Sequence, residues 1–432
     1  MEYENEEMNI RRQKREAQQN LLRKQMKVVK IGFGITLAIT ACCCLLMLAA
    51  VKGWFPFAQD VTPSQPQLGT EPTETEPVPT ETEPPKPDTV IHLVAGGDVN
   101  VTDGTVASGK TDTGYDFTKA FLDLVPILSG GDLTVLNFEG NLYGAPYGAG
   151  SAPQELVQAL ANAGVDLLQT ANSKSVDKGM TGLRDTINGI RGAGMEPLGT
   201  FADPEEFQKS GGFYMREVQG VRIAFVAFTK GMDGQLALPA GSEDCVNLLY
   251  EDYYSAYQKV NKDGIRSVLQ AVEDAKPDIT VALVHWGSEY NDNLSKTQET
   301  IVKLMQEEGV DAILGTHSHY VQSMVFDEAA GTFTAYSLGD FYGDAQRAGT
   351  NYSVLLDLQI TKDGTTGETK ITGFEYIPIY IYRDEAGSIR VLRLREAIAA
   401  YESNIIGKVP EEVYTQMKSA LSRIESRVTP KT

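Results

Sequence analysis

Gly315-Thr316-His317-Ser318-His319 follows a short apolar run, Ala312–Leu314, and converts it into a polar loop. The chain has only four histidines, and two of them lie in this stretch. A third, His285, ends another apolar run, Ile279–Val284. Open α/β sheets bind ligands at the carboxyl ends of their strands, and imidazole is the commonest metal ligand among side chains. This pattern indicates a metal site, while two hydrogen-bonded loop histidines are the alternative for the pair alone.

Acidic residues follow other predicted strands in the same way. The strand Val90–Ala95 leads to Asp98 through two glycines, and the strand Leu133–Phe138 leads to Glu139. A carboxylate after a buried strand and a glycine turn is well placed to hold a cation. A further acid, Asp340, follows a later apolar run. The remaining histidine, His92, lies within the first strand, so we interpret it as a core or face residue.

Predicted strands and helices alternate through the middle of the chain, which favours an α/β fold. Helices are predicted at 153–164, 183–190 and 297–308, and further strands at 165–170, 221–228 and 334–338. The segment from Ile279 to Leu314 forms a predicted β-α-β unit whose strands lead to His285 and His317. After Asn351 apolar and polar residues alternate, which indicates a closing antiparallel sheet.

The amino-terminal segment has the features of a membrane anchor. Residues 31–51 run for 21 positions without a charge, and about 20 apolar residues of helix cross a bilayer core. Eight basic residues and five glutamates precede them in residues 1–30, so the amino terminus is predicted to be cytoplasmic and the main domain extracellular. A cleaved signal peptide usually has a shorter apolar region, and a lipobox at Cys42 would leave nine apolar residues beyond it. We therefore predict a single-pass cell-membrane protein.

A linker, residues 52–88, separates this segment from the domain. Its part from Gln59 to Asp88 contains eight prolines, six threonines and five glutamates in thirty positions, a composition that cannot bury a core. At about 3.1 Å per residue it could extend roughly 90 Å. The folded domain is predicted at residues 89–395, followed by a helical tail at 396–432. Cys245 is the one cysteine beyond the apolar segment, so the domain is expected to fold without an internal disulfide.

The charge distribution argues against nucleic-acid binding. Residues 1–58 carry nine basic and five acidic side chains, a net charge of +4. The whole chain has a net charge of −20, so the remaining residues have a net charge of −24. A domain this acidic is a poor electrostatic partner for nucleic acid or anionic lipid. We interpret the charge as a solubility feature, with an acidic rim around a metal site as the alternative.

Six motifs occur in order along the chain: Gly97-Asp98, Asn137-Phe138-Glu139, Ala171-Asn172 with Asp177-x-Gly179, His285-Trp286-Gly287-x-Glu289-Tyr290, Gly315-x-His317-x-His319 and Tyr336-Ser337-Leu338-Gly339-x-Phe341. Together they resemble the capsule-synthesis CapA family, and the resemblance covers residues 90–344. That family is associated with poly-gamma-glutamate capsules and looks related to the calcineurin-type metallophosphoesterases. The resemblance implies a four-layer α/β/β/α metallophosphatase-like sandwich, here preceded by one transmembrane helix. It implies as partners an envelope or capsule polymer and polymer-synthase membrane proteins.

The resemblance also implies a metal centre. It would hold two divalent ions, or one as the alternative, and a mixture of carboxylates and imidazoles suits Mn, Fe or Zn. Two ions about 3.5–4 Å apart would polarise a phosphoryl group and activate a bridging water. Asn172, Ser173 and Asp340 would line the site. The implied ligands are Asp98, Glu139, His285, His317 and His319.

Two residues depart from the family pattern, because the family usually has Ala-Asn-Asn-His where this chain has Ala171-Asn172-Ser173-Lys174. Serine is a weak metal ligand, and Lys174 replaces the implied catalytic histidine. A lysine is a poor proton donor near neutral pH unless its pKa is depressed. Two outcomes follow: Lys174 anchors a substrate carboxylate or phosphate in an altered phosphoesterase-like hydrolase, or the site binds one metal or none and serves polymer binding or assembly. The family's Ser-Leu-Gly-Asn also becomes Ser337-Leu338-Gly339-Asp340, and the arginine often found after the first Gly-Asp is absent.

Overall fold

The computed structural model describes residues 86–345, 347–405 and 409–428. All described residues belong to one compact unit, Thr82–Thr432. The predicted cytoplasmic segment, membrane span and most of the linker lie outside them. Within the described ranges, no helix combines the length and the apolarity needed to cross a bilayer.

Fourteen strands in the described ranges form two sheets. The strands are β1 Thr89–Asn100, β2 Leu133–Glu139, β3 Leu167–Gln169, β4 Glu196–Leu198, β5 Phe213–Val218, β6 Val221–Thr229, β7 Ile279–His285, β8 Ala312–Thr316, β9 Met324–Asp327, β10 Thr332–Ala335, β11 Asp340–Tyr342, β12 Tyr352–Lys362, β13 Thr369–Arg383 and β14 Ile389–Arg393. The first sheet has the order β14-β13-β12-β1-β2-β3-β4, with β11 paired to β1. The second sheet has the order β5-β6-β7-β8-β10-β9.

Ten α-helices in the same ranges accompany the sheets. Their apolar residues recur at helical spacing, as in Ile265, Val268, Leu269 and Val272, which bury one face of a helix against the second sheet. The helices are α1 Asp103–Ser108, α2 Thr118–Phe121, α3 Val125–Leu128, α4 Gln154–Ala163, α5 Gly179–Gly192, α6 Pro204–Ser210, α7 Lys262–Asp274, α8 Lys296–Glu307, α9 Leu394–Glu402 and α10 Glu411–Val428.

Three apolar cores hold these elements together. The largest lies between the two sheets and contains Leu93, Val135 and Val281. A second lies between the first sheet and α2 to α4, and a third lies between the second sheet and α7 and α8. Since neighbouring strand residues point to opposite faces, alternate residues of one strand enter different cores. The fold is a mixed α/β sandwich with two sheets, which confirms the predicted α/β class.

The predicted elements around the motifs are present. The β-α-β unit is β7, α8 and β8, with the two strands parallel, and β12 to β14 form the predicted antiparallel closing sheet. The strand predicted at 334–338 instead spans Thr332–Ala335. The carboxyl-terminal segment has two helices where one was predicted, because Asn404 takes a left-handed φ of 54° after α9 and Pro410 precedes α10.

Four aspartates each stand immediately before a parallel strand and bind the start of the neighbouring strand. We call them the strand-start aspartates. Each carboxylate accepts a hydrogen bond from a main-chain N–H, which satisfies a donor at the sheet end opposite the strands' carboxyl ends. The pairs are Asp132 with His92 at 2.9 Å, Asp166 with Thr134 at 2.8 Å, Asp278 with Arg222 at 2.7 Å and Asp311 with Thr280 at 2.7 Å.

One of these carboxyl groups makes a testable contribution to stability. Burial raises the pKa of Asp311 to about 6, and the hydrogen bond from Thr280 offsets this only in part. A group whose pKa rises on folding binds more protons in the native state, so its contribution to stability is lost as the pH rises from 3.8 through 6. The side chain of Asp311→Asn cannot ionise. We therefore expect the unfolding free energy of the variant, relative to that of the wild type, to increase by up to about 3 kcal/mol when the pH is raised from about 3.5 to about 7.5. Urea unfolding at the two pH values measures this change.

Asp278→Asn is the matched control. The Oδ1 atom of Asp278 lies 2.9 Å from Nζ of Lys362, so this substitution removes an ion pair and should lower stability at pH 7.5. A difference between Asp311→Asn and the wild type that stays constant with pH would contradict the role given to burial.

Candidate metal centre

The five residues implied as ligands lie together at the carboxyl ends of four strands. Glu139 ends β2 and His285 ends β7. Both share a strand face with residues of the core between the sheets, such as Val135 and Leu283, so alternation directs them into the space between the sheets. His317 and His319 follow β8, and Asp98 lies near the end of β1. All five are at most 4% exposed.

These residues form two groups that share one carboxylate. Glu139, His285 and His317 form the first group, and Asp98, Glu139 and His319 form the second. Within each group the candidate ligand atoms lie within 4.8 Å of one another. Because a carboxylate has two oxygens, Glu139 can contribute to both groups at once.

The first group contains three buried polar atoms that have no hydrogen-bond partner: Oε2 of Glu139, Nε2 of His285 and Nδ1 of His317. Leaving such atoms unpaired in the interior is costly. Burial, together with positive charge nearby, lowers the pKa of both histidines well below the usual value, so their imidazoles are neutral and can donate a lone pair. A divalent cation fits these three atoms, because it would satisfy all of them.

His285 is oriented by a neighbour on the adjacent strand. Its Nδ1 lies 3.0 Å from Oγ1 of Thr316, which leaves Nε2 3.6 Å from Oε1 of Glu139. Partners of this kind fix the ring of a metal-binding histidine and select the nitrogen that faces the ion.

His319 is oriented by Asp340, the acid that sequence analysis places in the site lining. Nδ1 of His319 lies 2.7 Å from Oδ1 of Asp340 and 3.7 Å from Oδ2 of Asp98. Burial disfavours the imidazolium, but these carboxylates and Glu139 outweigh it and raise the pKa of His319 well above its usual value. Burial and the charge of Glu139 also raise the pKa of Asp98. The second group therefore concentrates negative charge that a divalent cation would neutralise.

Two side-chain amides extend from Asp98, one of the implied ligands of the first sheet. Nδ2 of Asn137 donates to Oδ1 of Asp98 at 2.5 Å, and Nδ2 of Asn172 donates to Oδ1 of Asn137 at 3.0 Å. Asn172 also donates to the carbonyl of Phe138 at 2.7 Å. Asn172, which was predicted to line the site, thus acts through Asn137. Sequence analysis placed Asn137 in a motif but assigned it no role.

Two glycines of the motifs allow close approaches at the centre. A Cβ atom on Gly97 would lie 1.7 Å from the carbonyl oxygen of Gly339, and one on Gly315 would lie 2.0 Å from that of Tyr336. Beyond Gly315, His317 adopts a φ of 90° and His319 a φ of 59°. Left-handed backbone is strained for residues with a Cβ and is concentrated at functional sites, which agrees with a site at this loop.

The two departures from the family pattern have defined partners. Oγ of Ser173 donates to Oε1 of Glu139 at 2.5 Å, so the serine holds the shared carboxylate. Nζ of Lys174 donates to Oδ2 of Asp233 at 2.6 Å. Burial disfavours the ammonium, but the hydrogen bond and charge of Asp233 outweigh it, so the pKa of Lys174 lies above its usual value. Lys174 therefore remains a paired cation near neutral pH.

A cleft of about 280 Å³ opens beside the first group. Its wall contains Ser173 and His317 of the centre together with side chains that sequence analysis did not select. These lie on loops without a periodic pattern, so no signal in the sequence marks them. They include Lys230, Asp233 and Tyr257. The wall also contains Glu289, which sequence analysis had placed in a motif.

Residues 92–345 match the model of a family described as bacterial capsule synthesis protein PGA_cap, and the match spans more than half of the chain. The chain belongs to this family. The predicted CapA relationship is thereby confirmed. All five implied ligands lie within the part of the chain that matches PGA_cap.

Curated relatives of this PGA_cap chain carry related descriptions. The chain is similar to a capsule biosynthesis protein CapA of Bacillus anthracis, at 31% identity over 50% of this chain and 49% of that protein. It is also similar to a PGA biosynthesis protein CapA of Bacillus subtilis strain 168, at 26% identity over 60% of this chain and 63% of that protein. The chain thus spans about half to just under two thirds of the lengths of these relatives.

Solved structures similar to this PGA_cap chain include a phosphatase from Mycoplasma pneumoniae and the calcineurin-like phosphoesterase YfkN from Bacillus subtilis. The first has a TM-score of 0.42 at 16% identity and covers 68% of this chain and 94% of that chain. The second has a TM-score of 0.39 at 13% identity and covers 79% of this chain and 99% of that chain.

Proposed function

We propose that this protein is a membrane-anchored, extracellular component of poly-gamma-glutamate capsule or cell-envelope polymer biosynthesis. Its domain carries a metal-dependent hydrolase-like site that is altered at Ser173 and Lys174. Family membership and the descriptions of the CapA relatives support the capsule assignment. The uncharged run at 31–51, the basic residues before it and the proline-rich linker support the location.

The observation that carries the metal-dependent site is the set of three unpartnered buried atoms on Glu139, His285 and His317. Asp98 and His319 complete the proposed ligand set around the shared carboxylate. Bound there, two divalent ions of Mn, Fe or Zn would polarise a phosphoryl oxygen and lower the pKa of a bound water. The proposal includes the four-layer α/β/β/α arrangement that the family resemblance implies.

The chain's own residues prepare the centre for that chemistry. Thr316 and Asp340 direct the rings of His285 and His319, while Ser173 holds Glu139 in place. Preoriented ligands lose little freedom when an ion binds. The proposed substrate is an envelope polymer, and polymer-synthase membrane proteins are the proposed partners.

The pairing of Lys174 with Asp233 favours a second candidate function. A charged lysine cannot replace the family's histidine as proton donor at neutral pH, and loss of a general acid costs typically ~10²–10⁴-fold in rate. In this alternative the domain binds metal and guides or assembles the polymer without cleaving it. Turnover separates the two candidates.

Metal analysis of the full-length protein tests the proposal. We expect about two equivalents of a transition metal, and we expect them to be lost in a variant with both His317→Ala and His319→Ala, because each group then lacks a ligand. His92→Ala is the control, since that half-exposed ring pairs with Asp357 at 3.0 Å. One equivalent would support a mononuclear centre. A folded protein that holds no metal after reloading with manganese and zinc would contradict the proposal.

A further inference from the structure

Lys230 brings an ammonium group to the cleft, next to the first ligand group. Its main-chain N–H donates to the carbonyl of His285 at 2.8 Å. Its Nζ donates to the carbonyl of Gly287 at 2.8 Å and lies 4.6 Å from the ring centroid of Tyr257. Hydrogen bonds thus hold both the main chain and the ammonium group of Lys230. Its positive charge is close enough to disfavour protonation, and so to lower the pKa, of His285 and His317.

The ammonium of Lys230 differs from that of Lys174 in its partners. Lys174 pairs with Asp233 at 2.6 Å. Within the part of the chain that the structure describes, Lys230 has no carboxylate within ion-pair distance and donates one hydrogen bond, to a carbonyl. Since an ammonium carries three donors, two are free to bind a ligand in the cleft.

The cleft also restricts where an anion can bind. Asp233 and Glu289 also line it and would repel a negative charge placed next to them. The rest of the chain carries a net charge of −24 beyond residue 58, so a general electrostatic attraction for polyanions is absent. A negatively charged group is therefore expected to bind next to the ammonium of Lys230, on the side of the cleft that His317 lines.

We infer that Lys230, rather than Lys174, forms an oxyanion subsite beside the metal centre and binds a carboxylate or phosphate group of the substrate. The inference rests on the proposed function and specifies its substrate class. Ligand pockets usually measure about 300–1,000 Å³, and this cleft, at about 280 Å³, fits a single charged unit of a polymer.

Calorimetric titration of the manganese-loaded full-length protein tests this subsite, with inorganic phosphate and γ-glutamylglutamate as separate probes. Lys230→Gln keeps a hydrogen-bond donor for Gly287 but removes the charge, and we expect it to bind at least one probe about tenfold or more weakly. Lys230→Arg keeps the charge and should bind that probe within about threefold of the wild type. Lys174→Gln is the matched control and should also stay within about threefold, because Asp233 already neutralises that lysine. The probe that loses affinity identifies the source of the oxyanion.

Metal content is measured in every variant before titration. Unchanged metal with wild-type affinity in Lys230→Gln would overturn the inference, as would equal losses in Lys230→Gln and Lys230→Arg. A larger loss in Lys174→Gln, metal loss in either Lys230 variant, or a metal-loaded wild type that binds neither probe would also overturn it. A wild type without metal would instead be a failure of the proposed function.

Discussion

Glu139→Gln is expected to remove both metal ions at once. Glu139 belongs to both ligand groups, and an amide offers one neutral oxygen in place of two charged ones. Binding of metal to the native state alone stabilises a protein by about 2.7 kcal/mol at a metal concentration 100 times Kd. The wild type should therefore gain several degrees in Tm on addition of manganese or zinc, and the variant should gain none. Elemental analysis and thermal unfolding provide the two measurements.

The metal-free form of the protein provides a second test of this prediction. Burial raises the pKa of Glu139, and Asp340 nearby adds to the effect, so the carboxylate is unfavourable without a cation. When a chelator keeps both proteins free of metal, we expect Glu139→Gln to be at least as stable as the wild type, since the amide oxygen still accepts the hydrogen bond of Ser173. Glu289→Gln, at an exposed cleft residue outside both groups, should behave like the wild type with metal. A Glu139→Gln protein that retains one full equivalent would show that the carboxylate is not shared.

Restoring the family pattern with Ser173→Asn and Lys174→His is expected to increase hydrolysis of a model phosphodiester such as bis(p-nitrophenyl) phosphate. The asparagine would supply a ligand oxygen, and the histidine would supply a proton donor near neutral pH. General acid catalysis contributes typically ~10²–10⁴-fold, so we expect a gain of about that size in kcat. The measurement is initial rate at saturating substrate, with metal content determined in parallel.

Lys178→His is the control for that experiment. Lys178 also pairs with an aspartate, Asp177 at 2.9 Å, but it lies outside the Ala171-Asn172-Ser173-Lys174 stretch that departs from the family pattern. It should leave the rate unchanged. A double variant that holds two metals and shows no gain would argue that the cleft lacks a productive substrate position, and it would favour the non-catalytic alternative.

The position of the candidate metal centre could be predicted from the sequence because the implied ligands follow strands directly. An apolar run that ends at His285 or Glu139 fixes both the strand and the sheet edge where the side chain lies. The β-α-β unit between His285 and His317 then brings two neighbouring strands to the same edge. Local pattern and one topological rule were sufficient for these residues.

The partners of these residues could not be predicted in the same way. Lys174 pairs with Asp233 across 59 positions of sequence, and Lys230 faces the cleft from a loop without periodicity. Such contacts depend on how two loops pack after the sheets have formed. The sequence therefore left two outcomes open for Lys174, and the ion pair with Asp233 supplies the missing observation.

The strand-start aspartates have a consequence for the opposite end of the sheets. In a strand, a slip of one residue sends every side chain to the other face. Such a slip in β2 or β7 would turn Glu139 or His285 away from the space between the sheets and into the outer helical layer. Asp132, Asp166 and Asp311 each bind a main-chain N–H near the start of β1, β2 or β7, the strands that carry Asp98, Glu139 and His285 near their carboxyl ends. These hydrogen bonds help to fix the register of the strands, and with it the face on which each of the three residues lies. The geometry of the candidate metal centre is thus determined in part at the opposite end of the sheets.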